Sequence, residues 1–275
     1  MEDATKNKTT QSFVTCVYEA KVADFSRNVT VTWSKNLTSQ TLNISVENRS
    51  GENQCNCKID LKTWQFWGSK GLKSFIIDGQ RVDIFWDFRT AKFSGSPEPC
   101  SDYYVAMVSG EEVVLLLGDR KKEAFKRSKS RPSLVDSVLR HKKENVFGKR
   151  CFFTRSTLGM ARKEHNIGIE ASLSGPGDPE LWINLDGILL FHVMNLHWRF
   201  RGNESVLVDD MPLQIFWDVH DWLYSTPNSG QGFFIFKRST TEGELTSNPD
   251  ARVLCDEESG DAFEFCHLLY ACLEG

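Results

Sequence analysis

The tetrapeptide Ile-Phe-Trp-Asp occurs twice in this chain, at 84–87 and at 215–218, each time in a run where every second side chain is apolar. Such alternation is the period of an extended strand with one buried face. The repeat therefore commits two distant stretches to β-structure. Sliding residues 67–87 onto 198–218 without a gap gives eight identities in twenty-one positions, where average residue usage predicts about one. Trp67 pairs with Trp198, Gly71 with Gly202, Ser74 with Ser205 and Asp78 with Asp209, besides the two tetrapeptides. Phe75, Ile76 and Ile77 stay opposite Val206, Leu207 and Val208, so apolar character is kept where identity is not. Two halves on one structural plan are expected.

Period-two alternation predicts strands near 13–22, 28–35, 41–47, 57–67, 72–78, 81–88, 103–109 and 112–118, then 151–159, 165–173, 181–185, 188–200, 204–208, 213–219 and 232–237. Asp78-Gly79 is a two-residue hairpin signal, because the favoured turn needs positive φ that Asp and Gly tolerate. The second copy has Asp209-Asp210 and then Pro212, and its turn is expected to differ in detail. Within the repeated strand, Val82, Ile84, Trp86 and Phe88 share one side with Leu213, Ile215, Trp217 and Val219 in the copy, the core face. Asp83, Phe85 and Asp87 form the other, polar face, matched by Gln214, Phe216 and Asp218. Trp67, Trp86, Trp198 and Trp217 are thus expected in the core, where a large aromatic is usually buried.

The expected fold is all-β: antiparallel meanders in two pseudo-repeats, forming twin β-sandwiches or barrel-like halves, with a short C-terminal helix. The divisions are a disordered N-terminus at 1–12, a first β repeat at 13–119, a basic connector at 120–149, a second β repeat at 150–240 and an acidic tail at 241–275. In that tail, Phe265, Leu268, Leu269 and Cys272 have the spacing of one helical face.

A net charge of −4 at pH 7 is too mild to demand a nucleic-acid partner. No stretch reaches the roughly 18 apolar residues of a membrane span, and the polar start, MEDATKNKTTQS, offers no signal peptide. A cytoplasmic or nuclear protein is expected, and in a reducing compartment its eight cysteines are read as free thiols. Cys55-x-Cys57 has no second pair at zinc spacing, and the six histidines form no H-x-x-x-H pair. No metal or cofactor is expected.

The segments NVTVTWSKNL, DGQRVDIFWDFRTAKF, YYVAMVSGEEVVLLLGD, KEHNIGIE, DPELWINLDG and WRFRGNESVLVDDMPLQIFWDVHDWL, in that order, resemble the plant-specific domain-of-unknown-function family numbered eight-six-eight. The likeness covers roughly residues 12–240. It brings no assigned reaction, cofactor or catalytic residue, and implies a soluble plant protein.

Local charge is strongly biased. Residues 120–150 carry twelve Lys or Arg against three acids, a net of +9, which leaves −13 for the rest. Such a run reads as a mobile connector or exposed helix. Inside it, Arg127-Ser128-Lys129-Ser130-Arg131-Pro132 fits the R-S-x-S-x-P pattern that resembles a 14-3-3 docking site after phosphorylation of Ser130. The phosphate would engage an arginine cluster on the partner. Nucleic acid is disfavoured, because no recognition helix, zinc-finger spacing or stacking run accompanies the charge. The run Asp218-Val219-His220-Asp221 could orient an imidazole as a general base. No nucleophile motif goes with it, and the other copy has Arg89 where His220 stands. The leading reading is a non-enzymatic interaction or scaffold protein regulated by phosphorylation of the connector. The second is a β-barrel carrier of a small apolar ligand, which a lined internal cavity would favour.

Overall fold

In the computed structural model, the chain is described over residues 11–47, 53–61, 68–148, 151–158, 163–173, 177–225, 230–238 and 265–272. Its contacts divide it into two units, Met1–Glu144 and Asn145–Gly275.

The first unit runs through β1 (Ser12–Val22), β2 (Phe25–Lys35), β3 (Gln40–Glu47), β4 (Asn53–Asp60), β5 (Lys70–Ile77), β6 (Gln80–Asp87), β7 (Tyr104–Ser109) and β8 (Glu112–Leu117). It continues through α1 (Lys121–Ser128) and β9 (Arg131–Pro132) into β10 (Val138–Phe147), whose last three residues belong to the second unit. The strands form two sheets, β10-β1-β2-β3-β4 and β5-β6-β7-β8-β9. Among the described residues their strand pairings are antiparallel except the short parallel β8–β9 contact. Alternation explains the core between the sheets: Val29, Val31 and Trp33 of β2 point inward with Val82 and Ile84 of β6 and Val105 and Met107 of β7. Trp33 meets Phe88 and Tyr103 edge-on, each at 5.9 Å between ring centroids.

The second unit contains β11 (Cys151–Thr157), β12 (Glu164–Ser172), β13 (Glu180–Leu185), β14 (Ile188–Val193), α2 (Leu196–Arg199), β15 (Arg201–Val208), β16 (Met211–Asp218), α3 (His220–Tyr224), β17 (Gln231–Arg238) and β18 (Cys266–Cys272). One sheet is the meander β11-β12-β13-β14, and another has the order β15-β16-β17-β18. Phe191 of β14 packs on Trp217 of β16, and His267 of β18 meets the Ser156 hydroxyl of β11 at 3.0 Å, so these two sheets face each other.

The all-β expectation holds, with a sandwich in each unit and, among the described residues, three short helices. Local likeness between the repeated hairpins is close. Gly71 lies opposite Trp86 and Gly202 opposite Trp217 in the strand register. A Cβ at Gly71 would stand 2.3 Å from the Trp86 ring, and one at Gly202 2.5 Å from the Trp217 ring, so each indole lies on bare backbone. Trp222 repeats the device on Gly232, at 2.6 Å. The turns also agree. Asp78 and Gly79 have φ of 48° and 78°, and Asp209 and Asp210 have 48° and 62°, so the second turn is built like the first despite lacking glycine. Aspartate tolerates the left-handed region well enough to replace it.

Several expectations are corrected. Trp198 is 88% exposed: the strand expected over 188–200 ends at Val193, and Asn195, at φ 55°, turns the chain into α2. Trp217 is buried and Trp86 half-buried, while Trp67 lies outside the described residues. The C-terminal helix is instead the strand β18. Phe265, His267, Leu269 and Ala271 alternate inward there, and pairing with β17 satisfies the backbone, so period two prevails over a spacing that a short window shares with a helix. Residues 241–264 of the tail lie outside the described residues. The stretch read as a connector holds α1, β9 and all of β10, the last paired along β1. Phe85, assigned to the polar face, is 8% exposed because α1 packs Ala124 and Phe125 against it, and Asp87 on the same face is 4% exposed and paired with Arg89 and Lys70.

Candidate functional site

Alternation along β12 sends His165, Ile167 and Ile169 inward and Asn166, Gly168 and Glu170 to the opposite face of the sheet. The register sets Phe153 opposite Gly168, Gly168 opposite Asn184 and Asn184 opposite Leu189, one row across all four strands. In the next row Glu170 faces Trp182, and Trp182 faces His192. With only a hydrogen at 168 the floor of this face is low. A cleft of about 450 Å³ opens there, lined by Phe153, Asn166, Gly168, Glu170, Trp182, Asn184, Gly187 and Leu189. The Phe153 ring is 70% exposed and passes 3.2 Å from where a Cβ at 168 would be.

The walls are held in place. His192 stacks on the Trp182 indole with centroids 4.9 Å apart and planes 9° apart. His192 Nε2 lies 3.2 Å from Glu180 Oε2, so a carboxylate fixes the imidazole that fixes the indole. At the far end, the turn at Asp186 and Gly187 is tied to Asn166, whose backbone N–H donates to Asp186 Oδ1 at 2.8 Å. Buried His165 places Nδ1 2.8 Å from Asp186 Oδ2 and Nε2 3.2 Å from Asp209 Oδ2, the latter off the line of a hydrogen bond. The Asn166 N–H, and after it His165, holds the Asp186 carboxyl below its ordinary range. Beside the cleft, burial and then the Glu170 charge push the Cys151 thiol up, away from the thiolate a nucleophile needs. The lining therefore offers aromatic faces, two carboxamides and one carboxylate, groups suited to holding a ligand.

None of the residues singled out from sequence lines this cleft. Arg127 and Ser128 end α1, and Lys129 caps it at φ 57° with its N–H on Phe125 O at 2.9 Å. Ser130 Oγ donates to Ser128 O at 3.2 Å. Arg131 and Pro132 form β9, where Glu112 takes Arg131 at 2.8 Å and the Ser133 hydroxyl at 3.1 Å. The 127–132 motif is thus a helix end followed by a short edge strand, with Arg127, Lys129, Arg131 and Pro132 exposed and Ser128 and Ser130 half-buried. His220 opens α3. Its Nδ1 meets Asp221 at 3.2 Å, its backbone N–H donates to Asp218, and Asp218 is paired with Arg201 at 2.7 Å. The His220 and Tyr224 rings meet on that helix with centroids 4.8 Å apart and planes tilted by 48°.

Cys16, Cys57, Cys100, Cys151, Cys266 and Cys272 are free thiols. Burial, with the Glu98 charge behind it, pushes Cys16 up to about 12. Among the described residues, no group of three or more His, Cys, Asp or Glu could hold a metal ion, and no helix is long and apolar enough to cross a membrane. Sequence reasoning missed Phe153, Trp182, Asn166, Asn184, Glu170 and His192. The available signal was two aromatics at positions that alternation assigns to the outer face.

Comparison with known proteins gives one match. The family model described as plant protein of unknown function (DUF868) matches residues 9–273. No curated protein and no solved structure matches the chain.

Proposed function

We propose, from the premise that this chain belongs to the DUF868 family of plant proteins, that it is a non-enzymatic binding protein whose ligand seats on the outer face of β11–β14. One observation carries this reading: Phe153, 70% exposed, and Trp182 stand with Asn166, Asn184 and Glu170 around a cleft of about 450 Å³ floored by Gly168. So exposed a ring adds little to folding, whereas burying it under a ligand is worth about 2 kcal/mol. Large buried side chains, Trp33 and Tyr104 in the first unit and Phe234 and Phe236 in the second, occupy the interior among the described residues, which supports recognition at a surface over carriage inside a barrel. The test is a fragment screen followed through amide and side-chain carboxamide NMR signals. Binders should shift Asn166, Gly168 and Asn184 in the wild type and fail to do so in Phe153→Ala. A screen in which no compound moves those signals would end the proposal.

Regulation through Ser128 and Ser130 is a second proposal, supported by the grip of Glu112 on Arg131 and Ser133. A phosphate on Ser130 would repel Glu112 and compete for Arg131, freeing β9 as the extended segment that a phosphopeptide groove accepts. A phosphorylated 124–136 peptide and the phosphorylated chain should both bind 14-3-3. Failure of the peptide alone would remove the idea.

A further inference from the structure

The lining of the β11–β14 cleft narrows what could occupy it, given the reading that it is a ligand site. An anionic ligand, phosphate or carboxylate, would meet Glu170 and find no cation among the lining residues. Arg155, opposite Asn166 in the register, is held by Glu164 at 3.4 Å. A wholly apolar ligand would strip water from Asn166 and from Asn184 and Glu170, whose one long hydrogen bond to each other at 3.5 Å leaves most of their polar capacity open, a loss of about 1–3 kcal/mol for each group left unsatisfied. A lone organic cation would suit Glu170 but needs its aromatic partners within about 6 Å. Phe153 and Trp182 stand two strands and two residues apart, roughly 12 Å between their backbones by strand spacing and rise, an elongated platform rather than a cage around one ammonium group.

What fits is a flat, uncharged, extended molecule with apolar faces and polar edges. A pyranose ring presents axial C–H bonds to an aromatic face and hydroxyls around its rim. Each hydroxyl both donates and accepts, matching a carboxamide that does the same and a carboxylate that only accepts. Two linked rings would reach from Phe153 to Trp182 with Asn184 and Glu170 between them. His192 covers one face of Trp182 and leaves the other to the cleft, so the stacking surface is ordered before binding. We infer that the Phe153–Trp182 cleft on β11–β14 binds a neutral saccharide of two or more linked sugar rings.

The test uses the full chain on an array of neutral and charged oligosaccharides, with NMR of Asn166 and Asn184 as the site-specific readout. Wild type should retain at least one neutral glycan and shift both carboxamide signals on titration with it. Phe153→Ala and Trp182→Ala should each weaken binding at least about tenfold, equivalent to about 1.4 kcal/mol, and Trp182→Phe should keep most of it. Phe153 is exposed, so unchanged near-ultraviolet circular dichroism will show that its variant is folded. His192→Ala, a positioning change, should weaken binding while Trp182→Phe in the same background adds nothing. Preference for sulfated or acidic glycans, or neutral binding indifferent to Phe153, would overturn the assignment. An array with no neutral binder would overturn it too. In that case fragments of other chemistry that still shift Asn166 and Asn184 would leave the cleft a ligand site, and silence from both would remove site and saccharide together.

Discussion

The β5–β6 and β15–β16 hairpins are nearly the same object on one side and different on the other. Each sets an indole on a glycine, and each indole N–H donates to a carbonyl, Trp86 to Gly68 at 3.0 Å and Trp217 to Arg199 at 2.9 Å. Each follows the tryptophan with an aspartate facing a cation across the pair, Lys70 with Asp87 at 3.5 Å and Arg201 with Asp218 at 2.7 Å. Each leaves an aliphatic side chain of its first strand in water, Ile76 at 67% and Leu207 at 73% exposed. The reverse faces differ. In the first unit α1 lays Ala124 and Phe125 over Phe85, Tyr104 and Ala106, whereas Phe216 and Asp218 of the second are only half-buried. A strand's alternation fixes its two faces, and which of them is covered depends on an element elsewhere in the chain.

The largest test of that difference compares the indoles. Trp217→Ala should lose about 3–5 kcal/mol and half-buried Trp86→Ala about 2–3, read by chemical denaturation. Gly202→Ala and Gly71→Ala should mimic them by forcing the rings away. If Trp86→Ala proves the costlier, the shared hairpin is not the main support of the second unit. Next come the reverse faces. Phe85→Ala, under α1, should lose about 3 kcal/mol and Phe216→Ala about 1; equal losses would mean that α1 is no real cover.

A smaller effect concerns acid. Burial pushes Asp87 up, but hydrogen bonds from the Arg89 side chain and backbone, with the charges of Arg89 and Lys70, outweigh it and hold the carboxyl below its usual range. A depressed folded pKa means that this contribution is complete above about pH 4, the unfolded value, and fades as pH falls through the folded one. Asp87→Asn should therefore destabilise by about 1–2 kcal/mol near neutrality and converge on wild type in strong acid. A constant gap down to pH 2 would discard the linkage. The smallest effect is Ser130→Glu, which should loosen β9 by under about 1 kcal/mol and speed proteolysis near Arg131, leaving the hairpins untouched.

Sequence reading succeeded where a period decides the matter. It placed most strands and both repeated hairpins, and it failed where a third body intervenes. Phe85 looked like a stray aromatic on a polar face because the helix above it was hidden in a run of lysines, whose charge spoke of solvent while Ala124 and Phe125 packed. Trp198 looked like Trp67's partner, yet Asn195 turns the chain just before it. The cleft escaped notice because Phe153 and Trp182 are aromatics on outer positions of separate strands. Only the register brings them to one surface.

The bare backbone beneath Trp86, Trp217 and Trp222 carries a consequence for inheritance. A methyl group will not fit at Gly71, Gly202 or Gly232 while the indole stays, and an indole withdrawn from any of them leaves a hollow. Neither member of a couple can drift alone, so across related genes the two positions of each couple should be kept or exchanged in the same step.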